Sequence, residues 1–192
     1  MARFLTRRRQ RKLIVLVIGL VVAYAQQAGW LHRFQTATEA NQPGLYQVVD
    51  FSDGDTVTVD MNGTDETIRF IGVDTPEVHD PRKTVQCFGK AASNFTRSLI
   101  GSNRIRLEAD PLNTNRDRYN RLLRYVYLPD GQLVNAEIIK QGYGFAYLGF
   151  PFSKSDEFAA LEREAREQSR GLWRDCTPTV NEFGGYTSDN AN

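Results

Sequence analysis

The sequence contains few of the cysteine and histidine residues that bind zinc. Its 192 residues include two cysteines and two histidines, and no Cys-x-x-Cys spacing occurs. Structural and catalytic zinc sites are built from such residues at such spacings, so a zinc centre is excluded. No internal repeat is visible. The chain is long enough for one domain with extensions, and for a core of ordinary size without a metal or many crosslinks.

Residues 1–25 contain basic side chains and no acidic ones, so the net charge of the whole chain does not reflect that of the remaining residues. The whole chain has 24 basic and 23 acidic side chains and a formal net charge of +1. Residues 1–25 hold six of the basic ones, so the remainder has 18 against 23, a balance of −5. The domain is therefore not a generally basic nucleic-acid coat. Binding of polyanions there needs a local basic site and a bound cation.

Charge is also absent from the run Leu13 to Ala25, directly after the basic stretch. A basic start, an uncharged run and a small-x-small ending are typical of a secretory signal peptide. An uncleaved signal anchor is the alternative, because residues 26–31 extend the run to about the 20 residues of a spanning helix. We expect residues 1–25 to be one or the other. Both place the domain outside the cytoplasm, with a membrane contacted only through this segment if it is uncleaved.

Turn formers mark both ends of the expected domain. Residues 26–43 are polar and end beside Gly44, which predicts a linker. The domain itself is predicted over 44–176. Residues 177–192 contain turn formers and little apolar content, so we expect a flexible tail.

The apolar pattern of the domain predicts five strands and three helices. The first three strands form a meander, one helix lies between the third and fourth strands, and two helices follow the fifth. This order matches a five-stranded OB-type Greek-key barrel in an α+β, mainly β fold. The predicted strands are 46–51, 56–60, 67–73, 104–108 and 122–128, and the predicted helices are 89–100, 134–141 and 155–169.

Three carboxylates and two guanidiniums stand at turns beside these strands. Carboxylate oxygens are ligands for a hard cation, a carboxylate can serve as a base for water, and fixed positive charge stabilises a phosphodiester transition state. Each of these residues with its neighbours is weak evidence when taken alone. Their joint occurrence predicts a nuclease site. The five residues are Asp55, Arg69, Asp74, Glu77 and Arg121.

The orientation of Arg69 follows from strand alternation. Arg69 lies between Ile68 and Phe70. If those two side chains point into the core, Arg69 projects to the opposite face of the strand. It is then placed to face a ligand, although a solvated arginine has the same pattern.

These segments resemble the staphylococcal-nuclease-like (thermonuclease) family from about Tyr46 to Trp173. The resemblance implies cleavage of phosphodiester bonds in DNA or RNA, with 3′-phosphate ends. The segments that carry it, in family order, are Asp53-Gly54-Asp55-Thr56-Val57, Ile68-Arg69 through Val73-Asp74-Thr75-Pro76-Glu77, Asp117-Arg118-Tyr119 with Arg121, and Gly171-Leu172-Trp173.

The resemblance also implies a metal site. Asp55 and Asp74 are implied to give carboxylates to a single calcium ion (Ca2+), and Thr75 its backbone carbonyl. Pro76 favours an extended Thr75 that can present this carbonyl. Oxygen-only ligands suit calcium better than transition metals.

Catalytic roles are implied for three further residues. Glu77 is implied as the general base that orients or deprotonates water. Arg69 and Arg121 are implied to hold the phosphate with their forked guanidiniums. Asn120 stands where the family often has glycine, and we expect the turn to survive because asparagine tolerates positive φ.

Substrate contacts are expected from Arg118 and Tyr119 in the third segment and from Tyr147. The family's base-stacking tyrosines have only a partial counterpart here, in Tyr147 and neighbouring aromatic residues. Two roles for this aromatic cluster stay open. It could stack on nucleic-acid bases, or it could simply close the bottom of the barrel.

Two cysteines in an exported chain favour a disulfide between Cys87 and Cys176, with free buried thiols as the alternative.

A function other than catalysis is also open. A non-catalytic OB module that binds single-stranded nucleic acid or an envelope protein predicts loss of a carboxylate or arginine, and the sequence retains all five. We expect a monomer whose substrate is DNA, RNA or both.

Overall fold

A computed structural model of the chain describes Val15, Tyr24 and residues 44–78, 85–181 and 185–190. The predicted signal or anchor segment and the linker lie outside the described residues, apart from Val15 and Tyr24. Within the described ranges, no helix combines the length and apolar character needed to cross a membrane.

The predicted five-stranded barrel is confirmed. Its strands are joined in the closed order β1-β2-β3-β6-β5, with β3 and β6 parallel and the other pairs antiparallel. In chain order the strands are β1 (Leu45–Phe51), β2 (Thr56–Asp60), β3 (Asp65–Phe70), β4 (Val73–Asp74), β5 (Arg104–Glu108), β6 (Leu122–Tyr127), β7 (Phe145–Ala146), β8 (Thr179–Val180) and β9 (Tyr186–Thr187).

The three predicted helices are present, each within about two residues of its predicted end, and a short fourth follows them. Helix α2 packs against both α1 and α3. The barrel core is filled by alternate strand residues such as Val57, Val59 and Ile68, all fully buried. The helices are α1 (Gly89–Ile100), α2 (Val134–Lys140), α3 (Ser155–Glu167) and α4 (Leu172–Asp175).

The third predicted strand, 67–73, is divided in two. β3 ends at Phe70, and β4 leaves the barrel to pair with β7. Gly72 between them has φ 72°, and a Cβ there would lie 2.7 Å from the Phe152 ring. A residue with a side chain would meet both strain and a clash at this position, so the chain turns at Gly72.

The described residues after Cys176, for which a flexible tail is predicted, include two short strands. β8 and β9 form an antiparallel pair. The Tyr186 ring stacks on Phe145 with centroids 6.3 Å apart and meets Trp173 edge to face at 5.0 Å. One aromatic anchor and backbone pairing hold this segment despite its low apolar content.

Cys87 and Cys176 form a disulfide bond with their Cα atoms 6.0 Å apart. Cys87 lies just before α1, and Cys176 directly follows α4. The bond therefore joins the start of the first helix to the end of the fourth, across 89 positions of sequence.

A buried carboxylate also links distant parts of the fold. Asp110 Oδ2 accepts hydrogen bonds from the Tyr125 hydroxyl at 2.6 Å and the Ser153 N–H at 2.7 Å, and Oδ1 accepts the Leu112 N–H at 2.8 Å. Burial raises the pKa of Asp110, but these hydrogen bonds outweigh it and hold the pKa below its ordinary value.

This depressed pKa predicts an acid-dependent loss of stability. A carboxyl whose folded pKa is low stabilises the fold above its unfolded pKa, about 3.9, and loses that contribution as the pH falls through the folded value. We expect Asp110→Asn to be less stable than wild type at pH 7, with a difference that shrinks towards pH 2. Denaturant titrations from pH 7 to pH 2 check this. The exposed Asp130→Asn is the control, and a constant difference for Asp110→Asn would contradict the prediction.

Candidate active site

Asp55 ends the turn between β1 and β2, and its carboxylate is buried. The turn is held locally, because Asp53 Oδ1 accepts the Asp55 N–H at 3.2 Å. Asp55 Oδ2 accepts the Thr75 N–H at 2.7 Å and the Thr75 hydroxyl at 3.1 Å. Oδ1 accepts the Thr56 hydroxyl at 3.0 Å. A buried carboxylate requires such partners, and they fix its position.

Strand alternation directs Arg69 to the same place. Ile68 and Phe70 are buried in the core, so Arg69 projects from the opposite face of β3, as predicted. Its guanidinium forms one ion pair with Asp55 Oδ1 and another with Asp74 Oδ1, 2.8 Å from Arg69 Nη2. One cation thus joins carboxylates from two different turns.

Asp74 and Thr75 reach this cluster because β4 pairs with β7 away from the barrel. Thr75 is buried and packs closely on the turn before β2, since a Cβ on Gly54 would lie 2.8 Å from Thr75 Cγ2. The Asp74 side chain is 45% exposed. The Asp55–Arg69–Asp74 cluster is therefore open to solvent on the Asp74 side.

Helix α1 supplies a support that sequence reasoning missed. Thr96 is fully buried, and its hydroxyl donates to the Gly54 carbonyl at 2.6 Å. This bond ties the helix to the turn that carries Asp55. A threonine within a helix usually bonds its own helix, so no sequence signal marked this contact.

Glu77 lies three residues beyond Asp74 and is half-buried. Its N–H donates to Gln86 Oε1 at 2.7 Å, and its carbonyl accepts the Gln86 N–H at 3.0 Å. Sequence reasoning also missed Gln86, because its two partners on Glu77 lie nine positions away and no local motif marks the pair.

Arg121 directly precedes β6, the strand next to that of Arg69, and has its own partner. β3 and β6 are parallel, with Ile68 paired to Leu122, the residue after Arg121. Arg121 Nε and Nη2 each lie 2.7 Å from Asp117 Oδ2. The structure thus gathers Asp55, Arg69, Asp74 and Thr75, and it pairs Arg121 with a different carboxylate, that of Asp117.

The turn before Arg121 keeps the shape that was expected of it. Asn120 has φ 66°, the positive value that asparagine tolerates. Asp117 Oδ1 accepts the N–H groups of Tyr119 at 2.9 Å and Arg121 at 3.0 Å. Burial raises the pKa of Asp117, but its bonds to Arg121 outweigh this and lower the pKa below its ordinary value. The carboxylate is therefore kept ionised as a brace for Arg121.

Both residues predicted to contact substrate in this turn are exposed. Tyr119 is 62% exposed, and its hydroxyl accepts a hydrogen bond from Arg118 Nη2 at 2.7 Å. The guanidiniums of Arg118 and Arg121 lie 4.7 and 5.4 Å from the Tyr119 ring centroid. An exposed aromatic ring in contact with two cations therefore lies at the surface beside Arg121.

The aromatic cluster after α2 divides into two kinds of residue. Tyr143 stacks on Phe95 with centroids 4.0 Å apart, and Phe152 is buried, so these two close the barrel. Tyr147 is 39% exposed and lines a pocket together with Asp74. Tyr147 is thus the member of the cluster that is positioned beside the Asp55–Arg69–Asp74 cluster.

The donor set beside Arg69 consists of oxygen atoms of the kind that bind a hard metal ion. The Asp55 and Asp74 carboxylates are already neighbours, because both contact one guanidinium. Thr75 follows directly and is held against Asp55 by its N–H and its hydroxyl. Carboxylate and carbonyl oxygens with room for water, here on the exposed Asp74 side, are what calcium takes in proteins.

Comparisons with known proteins agree with this fold and site. Residues 67–175 match the family model described as Staphylococcal nuclease homologue. The chain is 35% identical over 164 residues to a Thermonuclease of Staphylococcus intermedius, covering 83% of this chain and 94% of that protein. It is 40% identical over 123 residues to Endonuclease YncB of Bacillus subtilis, covering 63% of this chain and 57% of that protein.

The closed five-stranded barrel with these helices defines an OB-type fold. The family model matches more than half of the chain, so the similarity extends beyond the fold to the sequence. The chain belongs to the staphylococcal nuclease family.

Proposed function

We propose that this protein is a calcium-dependent nuclease that cleaves DNA, RNA or both and leaves 3′-phosphate ends. Its family membership and nuclease relatives make it a hydrolase that acts on phosphodiester bonds. The observation that carries the calcium proposal is the joint contact of Arg69 with Asp55 and Asp74. This contact supports the proposal, because it brings two carboxylates and one cation together at a single point.

Each residue of the site has a proposed part in hydrolysis. Arg69 and Arg121 bind the phosphate oxygens and stabilise the negative charge that develops on them. Glu77 orients the attacking water and accepts its proton at a carboxylate oxygen. Asp55, Asp74 and the Thr75 carbonyl would hold calcium, which when bound supplies a Lewis acid for the phosphate.

Substrate contacts are proposed at the two exposed aromatic positions. Tyr119, with Arg118 and Arg121 over its ring, offers a stacking surface beside a phosphate-binding arginine. Tyr147 offers a second near Asp74. Bases of any sequence stack on aromatic rings, so both contacts suit a nuclease without strict sequence preference.

The proposal includes an enzyme that acts alone and outside the cytoplasm. All the proposed site residues belong to one chain, which supports catalysis by a monomer. The basic start and uncharged run of residues 1–25 support export or anchoring. The non-catalytic alternative requires a degenerate site, whereas here Asp55, Asp74 and both arginines keep their charged partners.

Calcium is expected to be required for cleavage. We expect the full-length protein to digest single-stranded DNA in millimolar calcium, and to be at least about tenfold slower in magnesium, which is smaller and holds its waters in a stricter octahedron. Chelator is expected to abolish cleavage. Gel assays of an end-labelled oligonucleotide give the rates, and labelling by a 5′-kinase without prior phosphatase treatment identifies 5′-hydroxyl, 3′-phosphate cleavage.

A matched pair of variants makes this test specific. Asp74→Asn keeps the size of the side chain and removes one proposed ligand charge, so a higher calcium requirement is expected. Asp130→Asn makes the same change at an exposed turn and should behave like wild type. Equal rates in calcium and magnesium, or full activity in chelator, would refute the calcium assignment.

A further inference from the structure

The last described residues form a strap over the start of α1. This C-terminal strap comprises residues 177–181 and 185–190, and it lies outside the family match, which ends at 175. Ser188 is buried in it, and its hydroxyl donates to the Cys87 carbonyl at 2.9 Å. The Cys87 N–H in turn donates to the Asp189 carbonyl at 2.7 Å. The strap is thus bound on both sides of one residue, next to Gln86.

Gln86 connects the strap to Glu77 through a single amide group. Its Nε2 donates to the Ser188 carbonyl at 3.2 Å and to Thr187 Oγ1 at 3.4 Å. Its Oε1 accepts the Glu77 N–H at 2.7 Å. The orientation of the amide is determined, because a backbone N–H can only donate and a carbonyl can only accept.

Gln86 also holds Glu77 through its own backbone. The Gln86 N–H donates to the Glu77 carbonyl at 3.0 Å, so both main-chain polar groups of Glu77 bond to one residue. The first residue of helix α1, Gly89, also packs closely against Glu77. A Cβ added to Gly89 would lie 2.8 Å from the Glu77 carbonyl oxygen. The backbone of Glu77 is therefore fixed from two directions.

Such fixing matters for a residue that directs a water molecule. Proton transfer and attack depend on the placement of the base, and an error of about 1 Å can cost about 10²-fold in rate. Glu77 has a flexible side chain, so the position of its backbone determines where the carboxylate can reach. A change at Gln86 should therefore affect catalysis without removing any group that touches substrate.

We propose that Gln86 is a positioning residue for Glu77, and that Thr187, Ser188 and Asp189 of the C-terminal strap hold Gln86 and its neighbour Cys87 in place. This inference rests on the proposed function, and in particular on the role of Glu77 in the reaction. It assigns a positioning role to a segment that the family match does not include.

A double-mutant cycle tests the proposal. Single-turnover rates at saturating calcium and excess enzyme, and steady-state KM values, are measured for wild type, Gln86→Ala, Glu77→Gln and the double variant. Gln86→Ala is expected to be slower than wild type by about tenfold or more, with a KM changed by less than about twofold. In the Glu77→Gln background the same change is expected to have almost no effect, because Gln86 acts through Glu77.

Controls separate this effect from general loss of structure. Gln141→Ala removes a half-buried glutamine that bonds Glu137 on α2 at 2.7 Å, and it should cleave at the wild-type rate. Ser188→Ala should slow cleavage in the same direction as Gln86→Ala, whereas Thr179→Ala, at an exposed strap position, should not. Hydrogen exchange at the Glu77 amide should become faster in Gln86→Ala, and this readout does not depend on activity.

The possible failures are distinguishable. If Gln86→Ala slows wild type and Glu77→Gln by the same factor, or slows neither, the positioning role is wrong while the proposed function stands. If Glu77→Gln cleaves at the wild-type rate, or wild type does not cleave at all, the proposed function has failed and the inference fails with it.

Discussion

Replacing Arg69 with alanine is expected to lower the rate of phosphodiester cleavage by at least about 10². Its guanidinium is the group that joins Asp55 and Asp74, and it supplies fixed positive charge where the transition state becomes more negative. Arg69→Lys should also be severely impaired, because a single ammonium cannot reproduce a two-pronged contact. Single-turnover rates at saturating calcium provide the measurement.

Saturating calcium is essential to this experiment. Arg69→Ala removes the cation beside a buried carboxylate, and an uncompensated buried charge is destabilising. Calcium bound to Asp55 and Asp74 would offset that loss. Thermal unfolding with and without calcium should therefore show a larger calcium effect for Arg69→Ala than for wild type, which separates loss of catalysis from loss of folding.

Arg121→Ala and Glu77→Ala are each expected to cause a similar loss of rate, at least about 10², in a folded domain. Arg106→Ala is the control, because Arg106 bonds Glu108 at 2.7 Å at the surface of β5 and exposed pairs of this kind contribute little. If Arg121→Ala cleaves at a near wild-type rate, the role assigned to Arg121 is wrong.

The order of the predicted strands and helices indicated the barrel, and strand alternation indicated the direction of Arg69. The buried Ile68 and Phe70 on either side of Arg69 leave one geometric choice for its side chain. The helices were predictable for the same reason, since apolar residues at helical spacing must face the barrel. The family resemblance then supplied the expected grouping of Asp55, Asp74 and Thr75, which the structure brings together.

Contacts that depend on tertiary partners could not be predicted in this way. Arg124 has no solvent exposure within β6, where the sequence shows only a charged residue in an apolar strand. Its Nη2 donates to Asn115 Oδ1 at 2.6 Å and its Nη1 to the Leu123 carbonyl at 2.6 Å. Burial lowers the pKa of Arg124 to about 10. No local pattern indicates that a loop nine residues earlier satisfies this cation.

The strap illustrates the same limit. Its low apolar content predicts disorder, because a segment with few apolar residues can bury little apolar surface to offset the entropy lost on ordering. The structure holds it instead through backbone hydrogen bonds to Cys87 and the amide of Gln86, about a hundred positions earlier in sequence. Such pairing is specified by both segments together, so neither segment reveals it alone.

Replacing both cysteines with serine is expected to lower the melting temperature markedly. The Cys87–Cys176 bond spans 89 positions, and closing a loop of that length is worth roughly 4 to 5 kcal/mol in the chain-entropy account, less any strain. For a domain of this size, a loss of that order lowers the melting temperature by about 10 °C or more. Calorimetry of Cys87→Ser/Cys176→Ser against wild type measures the change.

Cleavage by this variant at low temperature is expected to remain close to wild type. The strap is held to Cys87 through backbone groups, its N–H and its carbonyl, and serine keeps both. Because the sulfur atoms contribute to stability and not to the contacts of Glu77, melting temperature and catalysis should separate in this variant. Mass spectrometry of wild type exported by a bacterial host completes the test. Two alkylatable thiols in the non-reduced protein would falsify the disulfide and weaken the proposal that the domain matures outside the cytoplasm.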